Sequence, residues 1–268
     1  MEVRHGEVAV TSGRGSSFQE LQIGDISFAC TSFQGAVDWV IARAAAGGSG
    51  LNIRLANAYN VTLAHEQVEY RNLLARTGLN FPDGAPVAWL MHRRARGRVT
   101  DRVRGPSLFR AVLDQGRSAD LTHFFMGSTD ETLARLCAAV KRDYPGARIV
   151  GSFSPPFANV DDDFVDLCLE EAERAGASII WLGLGTPKQD QLGTRLSEKA
   201  DLLTVNVGAA FDFVAGTVRE APNWVQKSGF EWLYRLVSEP GRLWRRYLIG
   251  NFQFLRAVTS RKPAHRKA

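Results

Sequence analysis

Ala177-Ser-Ile-Ile-Trp-Leu-Gly183-Leu-Gly185-Thr-Pro187-Lys-Gln189-Asp190 is the stretch whose pattern decides the fold class. Its first seven residues are a short, largely apolar run closed by glycine, the pattern of a buried strand. A helix starts directly after it: Thr186 is a cap residue, Pro187 suits a first turn, and Gln189 stands where a capping box with Thr186 would place it. That helix extends to Lys199, and Leu202 to Val207 is a further strand. Upstream the alternation repeats. Asn52 to Ala58 is a strand, Val61 to Thr77 a helix and Leu121 to Gly127 a strand; a helix follows the Ser128/Thr129 cap as far as Tyr144, where Pro145-Gly146 stops it. Ala147 to Gly151 is a strand and Asp161 to Gly176 a helix. Strands and helices alternating at this spacing predict an α/β domain with a parallel sheet covered on both faces.

In an open parallel sheet ligands bind beyond the carboxyl ends of the strands. Gly183 and Gly185 follow such an end, where small residues let a ligand approach the backbone and free amides attract phosphate. The competing reading is a plain strand-to-helix turn. A dinucleotide site fits poorly, because Lys188 occupies the position of the third glycine and the next strand ends in Asn206-Val207 without a ribose-binding acid. Pro82-Asp83-Gly84 is turn chemistry if it stands alone, but at the ligand end of the sheet Asp83 is a carboxylate available as a general base. Asn57 caps the following helix or hydrogen-bonds a ligand, and Asp212 has the same two options. Asp101-Arg-Val-Arg-Gly105 offers paired guanidiniums for phosphate, or a solvated charge run. Asp161-Asp-Asp163 resembles a metal-binding motif, but three acids at a helix start are better explained by the helix dipole. His65, His92 and His123 show no ligand spacing, and no metal site is expected.

The 268 residues carry 33 Lys and Arg against 28 Asp and Glu, and 45% are hydrophobic. That excludes a disordered tail protein and leaves one large domain, with or without an appendage. The net charge of +5 is uneven: Lys227 to Ala268 holds ten basic and two acidic residues, which leaves −3 for residues 1–226. A weakly acidic body with a basic end points to an anionic partner for the end only. Residues 1–20 are expected to be a flexible leader, 21–216 the α/β domain and 217–268 a basic, aromatic, helical appendage. Within that appendage Leu243, Trp244, Tyr247, Leu248, Phe254, Leu255 and Val258 fall near one face, with Arg242, Arg245, Arg246 and Arg256 mostly beside it. Such a segment lies on a membrane surface or docks on the domain or another subunit. Cys30, Cys137 and Cys168 are far apart, as expected of a reduced, cytoplasmic protein, and no stretch reaches the roughly 18 apolar residues of a membrane span.

Taken together and in order, the motifs resemble the WecG/TagA/CpsF family of bacterial glycosyltransferases. The matching residues are Asn57-Ala58, Pro82-Asp83-Gly84, Arg102-Val103, Phe125-Met-Gly127, Tyr144-Pro145, Gly183-Leu-Gly185-Thr-Pro187-Lys-Gln189, Gly208-Ala-Ala-Phe-Asp212-Phe, Ala221-Pro222-x-Trp224, Glu231-Trp-x-Tyr-Arg235-Leu, Glu239-Pro240 and Arg245-Arg246-Tyr247. The resemblance implies a Rossmann-like core of the GT-E type and transfer of a hexose or N-acetylhexosamine, glucose favoured, from a UDP-sugar to a polyprenyl-diphosphate-linked sugar. It further implies inversion, no required metal or cofactor, and an enzyme peripheral to the inner face of the cytoplasmic membrane, and it is compatible with a homo-oligomer. Carried over by motif, Asp83 is the catalytic base. Asn57 and Arg102 stand beside it, the Gly183/Gly185 loop with Pro187, Gln189 and Asp212 holds the donor, and Arg102 with Arg235, Arg242, Arg245 and Arg246 faces diphosphate. Leu55 stands where many members have Thr, and Asp190 replaces the usual Glu after Gln189. A lost hydroxyl at Leu55 is the kind of change that alters sugar recognition.

Leu-Ala-Asn-Ala-Tyr, residues 55–59, is closer to the GumM-like glucosyltransferases of exopolysaccharide synthesis. An N-acetylmannosaminyltransferase of the same family is the nearest alternative. A nucleic-acid-binding module is the alternative of another class, opposed by the acidic body and the lack of a nucleic-acid motif. A nicotinamide-dependent oxidoreductase is opposed by the missing third glycine.

Overall fold

A computed structural model describes residues 18–47, 50–229, 231–238, 241 and 250–259. A hairpin of β1 (Glu20–Ile23) and β2 (Ile26–Ala29) leads into α1 (Phe33–Ala45). The core sheet contains β3 (Leu51–Ala56), β4 (Leu79–Pro82), β5 (Thr122–Gly127), β6 (Arg148–Phe153), β7 (Ile179–Gly183) and β8 (Leu203–Asn206). The strands lie in the order β4-β3-β8-β7-β5-β6, and every pairing is parallel. This is the Rossmann-like arrangement expected from the alternation. Phe18 packs on Trp39 and Phe81, while residues 1–17 of the expected leader lie outside the described residues.

Alternation along the strands sorts two layers. Leu51, Ile53 and Leu55 of β3, with Trp181 and Val205, face one large cluster completed by α1, α5 (Gly105–Gln115), α6 (Asp130–Asp143) and α9 (Ala210–Ala215). Phe109 anchors it, with ring centroids 4.8 Å from Trp181 and 5.7 Å from Phe211. The opposite face is apolar under α7 (Asp162–Ala175), where Ile180 and Leu182 meet Val165 and Cys168. Under α8 (Lys188–Lys199) it turns polar, because Asn52, Arg54, Thr204 and Asn206 occupy the alternate positions of β3 and β8 and are buried.

The helix expected over Val61 to Thr77 is two helices, α2 (Ala58–Glu66) and α3 (Val68–Leu74), separated by extended Gln67. The break brings the Tyr70 hydroxyl back to Asp190 Oδ2 at 2.6 Å, with Asn60 Nδ2 donating to Tyr70 at 2.8 Å. Helical period alone carries no trace of this buried polar contact. The chain continues through α4 (Ala85–Arg94) and, after β8 and α9, through α10 (Asn223–Ser228), α11 (Glu231–Ser238) and α12 (Gly250–Thr259). Phe254 and Ala257 of α12 are buried with Val61 and Ala64 of α2 and with Ile23 and Phe28 of the hairpin. That face of the basic segment is therefore docked on the domain, where a fully buried Phe contributes about 1.5–3 kcal/mol. Among the described residues no helix is long and apolar enough to cross a membrane.

Candidate active site

A cavity of about 600 Å³ opens at the carboxyl ends of four adjacent strands, β4, β3, β8 and β7. Each strand contributes the turn after it: Asp83 and Gly84 from β4, Asn57 to Tyr59 from β3, Val207 to Ala210 from β8, and Gly183 to Thr186 from β7. The far wall is Gly229, Glu231 and Trp232 with Asn251, Phe254 and Leu255, so the C-terminal helices complete the cavity.

Asp83 leaves the sheet with its backbone still in register, its N–H donating to Ala56 O at 2.8 Å. Gly84 then takes a φ of +102°, which turns the chain into α4. The Asp83 carboxylate is one-quarter exposed, and Oδ1 lies 3.9 Å from Arg102 Nη2. Arg102 donates to Glu231 Oε2 at 2.8 Å and to the Gln226 carbonyl at 3.1 Å. Behind it, Arg104 donates to both Glu231 oxygens and to Glu220, and Arg110 pairs with Glu220 at 2.6 Å. Asp101 accepts from the Phe33 N–H at 3.0 Å. Within the run Asp101 to Gly105, Asp101 stays exposed, whereas the two guanidiniums are matched by acids within the fold, with Arg102 also lining the cavity. Burial raises the Glu231 carboxyl, but the hydrogen bonds and charge of Arg104, then Arg102, outweigh burial and hold it below the ordinary glutamate value.

The glycine loop is built differently from a simple ligand cradle. The space a Gly183 side chain would need is filled by the Phe211 ring, so this glycine serves helix-to-strand packing. Gly185 has a φ of +77° and open space around it, and is required by the turn itself. Thr186 and Gln189 do not form the expected capping box. Pro187 occupies the cap position of α8, and Gln189 Oε1 instead accepts from the Gly185 N–H at 3.1 Å. Neither Gln189 nor Pro187 lines the cavity, and Gln189, which is buried, shapes the loop from beneath. Asp190 is wholly buried. Burial raises its carboxyl, opposed by the Tyr70 hydroxyl, Asn206 Nδ2 at 2.8 Å and the charge of Arg54. Asn60 links this network to the cavity, because its Nδ2 lies 3.4 Å from Asp190 Oδ2 and its Oδ1 accepts from the Asn57 N–H at 3.0 Å.

Asn57 is a helix cap, with Oδ1 accepting from the Tyr59 N–H at 2.9 Å, yet it also lines the cavity. Asp212 lines the cavity from the first turn of α9, and its carbonyl accepts from the Thr217 N–H at 3.0 Å. Arg235 belongs to α11, but its side chain lies outside the described residues, as do Arg242, Arg245 and Arg246 entirely. Leu55 packs in the large apolar cluster, not in the cavity wall. Asp161 caps α7, accepting from the Phe164 N–H at 3.0 Å, and Asp162 pairs with Arg195. Among the described residues no three His, Cys, Asp or Glu side chains are grouped to hold a metal ion. His123 is buried and accepts from Trp181 Nε1 at 3.1 Å, and burial pushes its pKa down to about 4.

Glu220 and Glu231 lie more than 100 residues from the arginines they hold, and no local spacing marks them as partners. What marks Glu231 is its place in the motif beginning Glu231-Trp.

A family model described as "Glycosyl transferase WecG/TagA/CpsF family" matches residues 21–268. A Bacillus spizizenii protein named N-acetylglucosaminyldiphosphoundecaprenol N-acetyl-beta-D-mannosaminyltransferase is 30% identical over 190 residues, 69% of this chain and 70% of its own length. A Bacillus subtilis protein of the same name is 26% identical over 186 residues, 67% of this chain and 68% of its own.

Proposed function

The chain belongs to the WecG/TagA/CpsF family of glycosyltransferases, and from that premise we propose that it transfers an N-acetylmannosaminyl residue from a UDP-sugar to a polyprenyl-diphosphate-linked N-acetylglucosamine. The names of the two Bacillus relatives favour this donor over glucose, and neither name supports the GumM-like subgroup. The reaction is inverting, needs no metal, and takes place at the cytoplasmic face of the membrane.

The observation that most supports the reading is the Asp83 carboxylate, exposed to a cavity of about 600 Å³ and flanked by Asn57 and Arg102. In the proposed step an acceptor hydroxyl attacks the anomeric carbon and Asp83 takes its proton. The bond from that carbon to the UDP oxygen breaks, and UDP leaves from the opposite face. One displacement inverts the centre. Charge developing on the leaving diphosphate meets the backbone N–H groups of Leu184, Thr186 and Ala209 in the two loops after β7 and β8, and the Arg102 guanidinium. Gln189 positions the first loop through its bond to Gly185.

The test is to supply UDP-N-acetylmannosamine, UDP-N-acetylglucosamine and UDP-glucose in turn with a short-chain prenyl-diphosphate N-acetylglucosamine, and to weigh the product by mass spectrometry. An added N-acetylhexosamine from the first donor alone is expected. A hexose product from UDP-glucose alone would restore glucose, and no product from any donor would overturn the acceptor.

A further inference from the structure

We propose that the exposed end of α4, together with the outward side of α12, is the surface that seats this protein on an anionic lipid leaflet. The inference rests on the proposed lipid-linked acceptor for its biological sense, but its observations are independent of the chemistry in the cavity.

Counting charge along the chain conceals this surface. Residues 1–226 sum to −3, yet Gly84 to Thr100 contains four arginines and no acid. Arg93, Arg94, Arg96 and Arg98 are all exposed, and among the described residues none lies within 4 Å of a carboxylate. Of the exposed arginines elsewhere, Arg76, Arg117, Arg135, Arg142 and Arg174 each hold an acid, while Arg148 and Arg219 hold none but stand apart from other arginines in the chain. A cluster of exposed guanidiniums without counter-charge among the described residues is a ready site for a polyanion from outside.

The apolar residues of the same surface decide which polyanion. Trp89 is 58% exposed, with the Arg93 guanidinium 4.8 Å from its ring centroid. Arg94 donates to the Val258 carbonyl at 3.3 Å, which ties α4 to α12, and α12 presents Phe252 and Leu255 at 73% and 59% exposure. A nucleic-acid backbone would leave these side chains in water. A leaflet accepts them at its headgroup level while the arginines reach its phosphates. Trp89 and Leu255 also line the cavity, so the apolar surface runs into the opening that a prenyl-linked substrate would have to use. The anionic partner is thus not confined to the C-terminal end, as the linear charge count suggested.

The test is co-sedimentation of the full chain with phosphatidylcholine vesicles containing about one-third phosphatidylglycerol, comparing wild type with Arg93→Gln/Arg96→Gln/Arg98→Gln. These side chains lie outside the cavity wall, so an unchanged melting temperature and unchanged transfer to a water-soluble short-chain acceptor are expected. Vesicle affinity should fall about fivefold per arginine, on the order of a hundredfold in all. A control variant, Arg135→Gln/Arg174→Gln, should bind as wild type. Equal vesicle binding by the triple variant and wild type would overturn the proposal, as would tighter binding of wild type to mixed-sequence RNA at the same salt. Failure of wild type to modify the soluble acceptor would instead count against the proposed reaction, with vesicle binding still readable.

Discussion

Replacing Glu231 by Gln removes a carboxylate that serves two guanidiniums, Arg102 at 2.8 Å and Arg104 through both oxygens. Arg104 is only 7% exposed, so water cannot take over the lost pairing. Breaking a buried pair from one side costs about 3–5 kcal/mol. Glu220 still holds Arg104 and Arg110, which puts the expected loss near the lower end, at about 3 kcal/mol. The sign with pH follows from the Glu231 carboxyl, whose folded value lies below the ordinary 4.5. Its contribution is therefore present above 4.5 and is lost as pH falls through the lower folded value. Urea denaturation of wild type and Glu231→Gln should differ by the full amount at neutral pH, and the gap should narrow below 4.5. A cycle with Arg104→Met should return a coupling of about 2–3 kcal/mol. A loss under about 1 kcal/mol, within what an exposed pair contributes, would refute the account of a buried clamp. Transfer should also slow in Glu231→Gln, because Arg102 loses the contact that sets its place beside Asp83.

Asp83→Asn should lower the turnover number by about 10²–10⁴ while UDP binding, followed by calorimetry, persists; an unchanged rate would remove Asp83 as the base. His123 falls from 6.5 to about 4 in the folded protein, so the unfolded chain takes up the proton first as pH drops. Stability should therefore decline by about 3 kcal/mol between those two values, and His123→Gln should flatten that slope in urea midpoints; an identical slope in the variant would exclude His123 as its source. Gly183→Ala sets a methyl group against the Phe211 ring and should cost about 1–3 kcal/mol, partly recovered by Phe211→Leu. Melting temperatures check this, and a tolerated alanine would show that Phe211 is free to move.

The strands β3, β5, β6, β7 and β8 and the helices after β5, β6 and β7 were legible because each is an apolar run or a periodic segment bounded by Gly, Pro or a cap residue. β4 was not, since Leu79 to Pro82 is four residues long and ends in what looks like turn chemistry. That omission left open whether Asp83 lies at the ligand end of the sheet, which only the pairing of β4 with β3 answers. The loops of the cavity were found from glycine and cap residues, but the reason for Gly183 was not, because Phe211 meets it through the fold. The buried layer of Asn52, Arg54, Asp190, Thr194 and Asn206 escaped for a related reason. Each is unexceptional in its own element, and only the stacking of α8 on β3 and β8 makes them neighbours.

The closure of the cavity by Glu231, Asn251 and Phe254 also imposes an order in time. A nascent chain can lay down β3 and β4, and with them Asp83, long before its wall exists, since Arg102 waits 129 residues for Glu231. Until then Arg102 and Arg104 lack this carboxylate, and the cavity stands open to solvent on the side that α11 and α12 later cover.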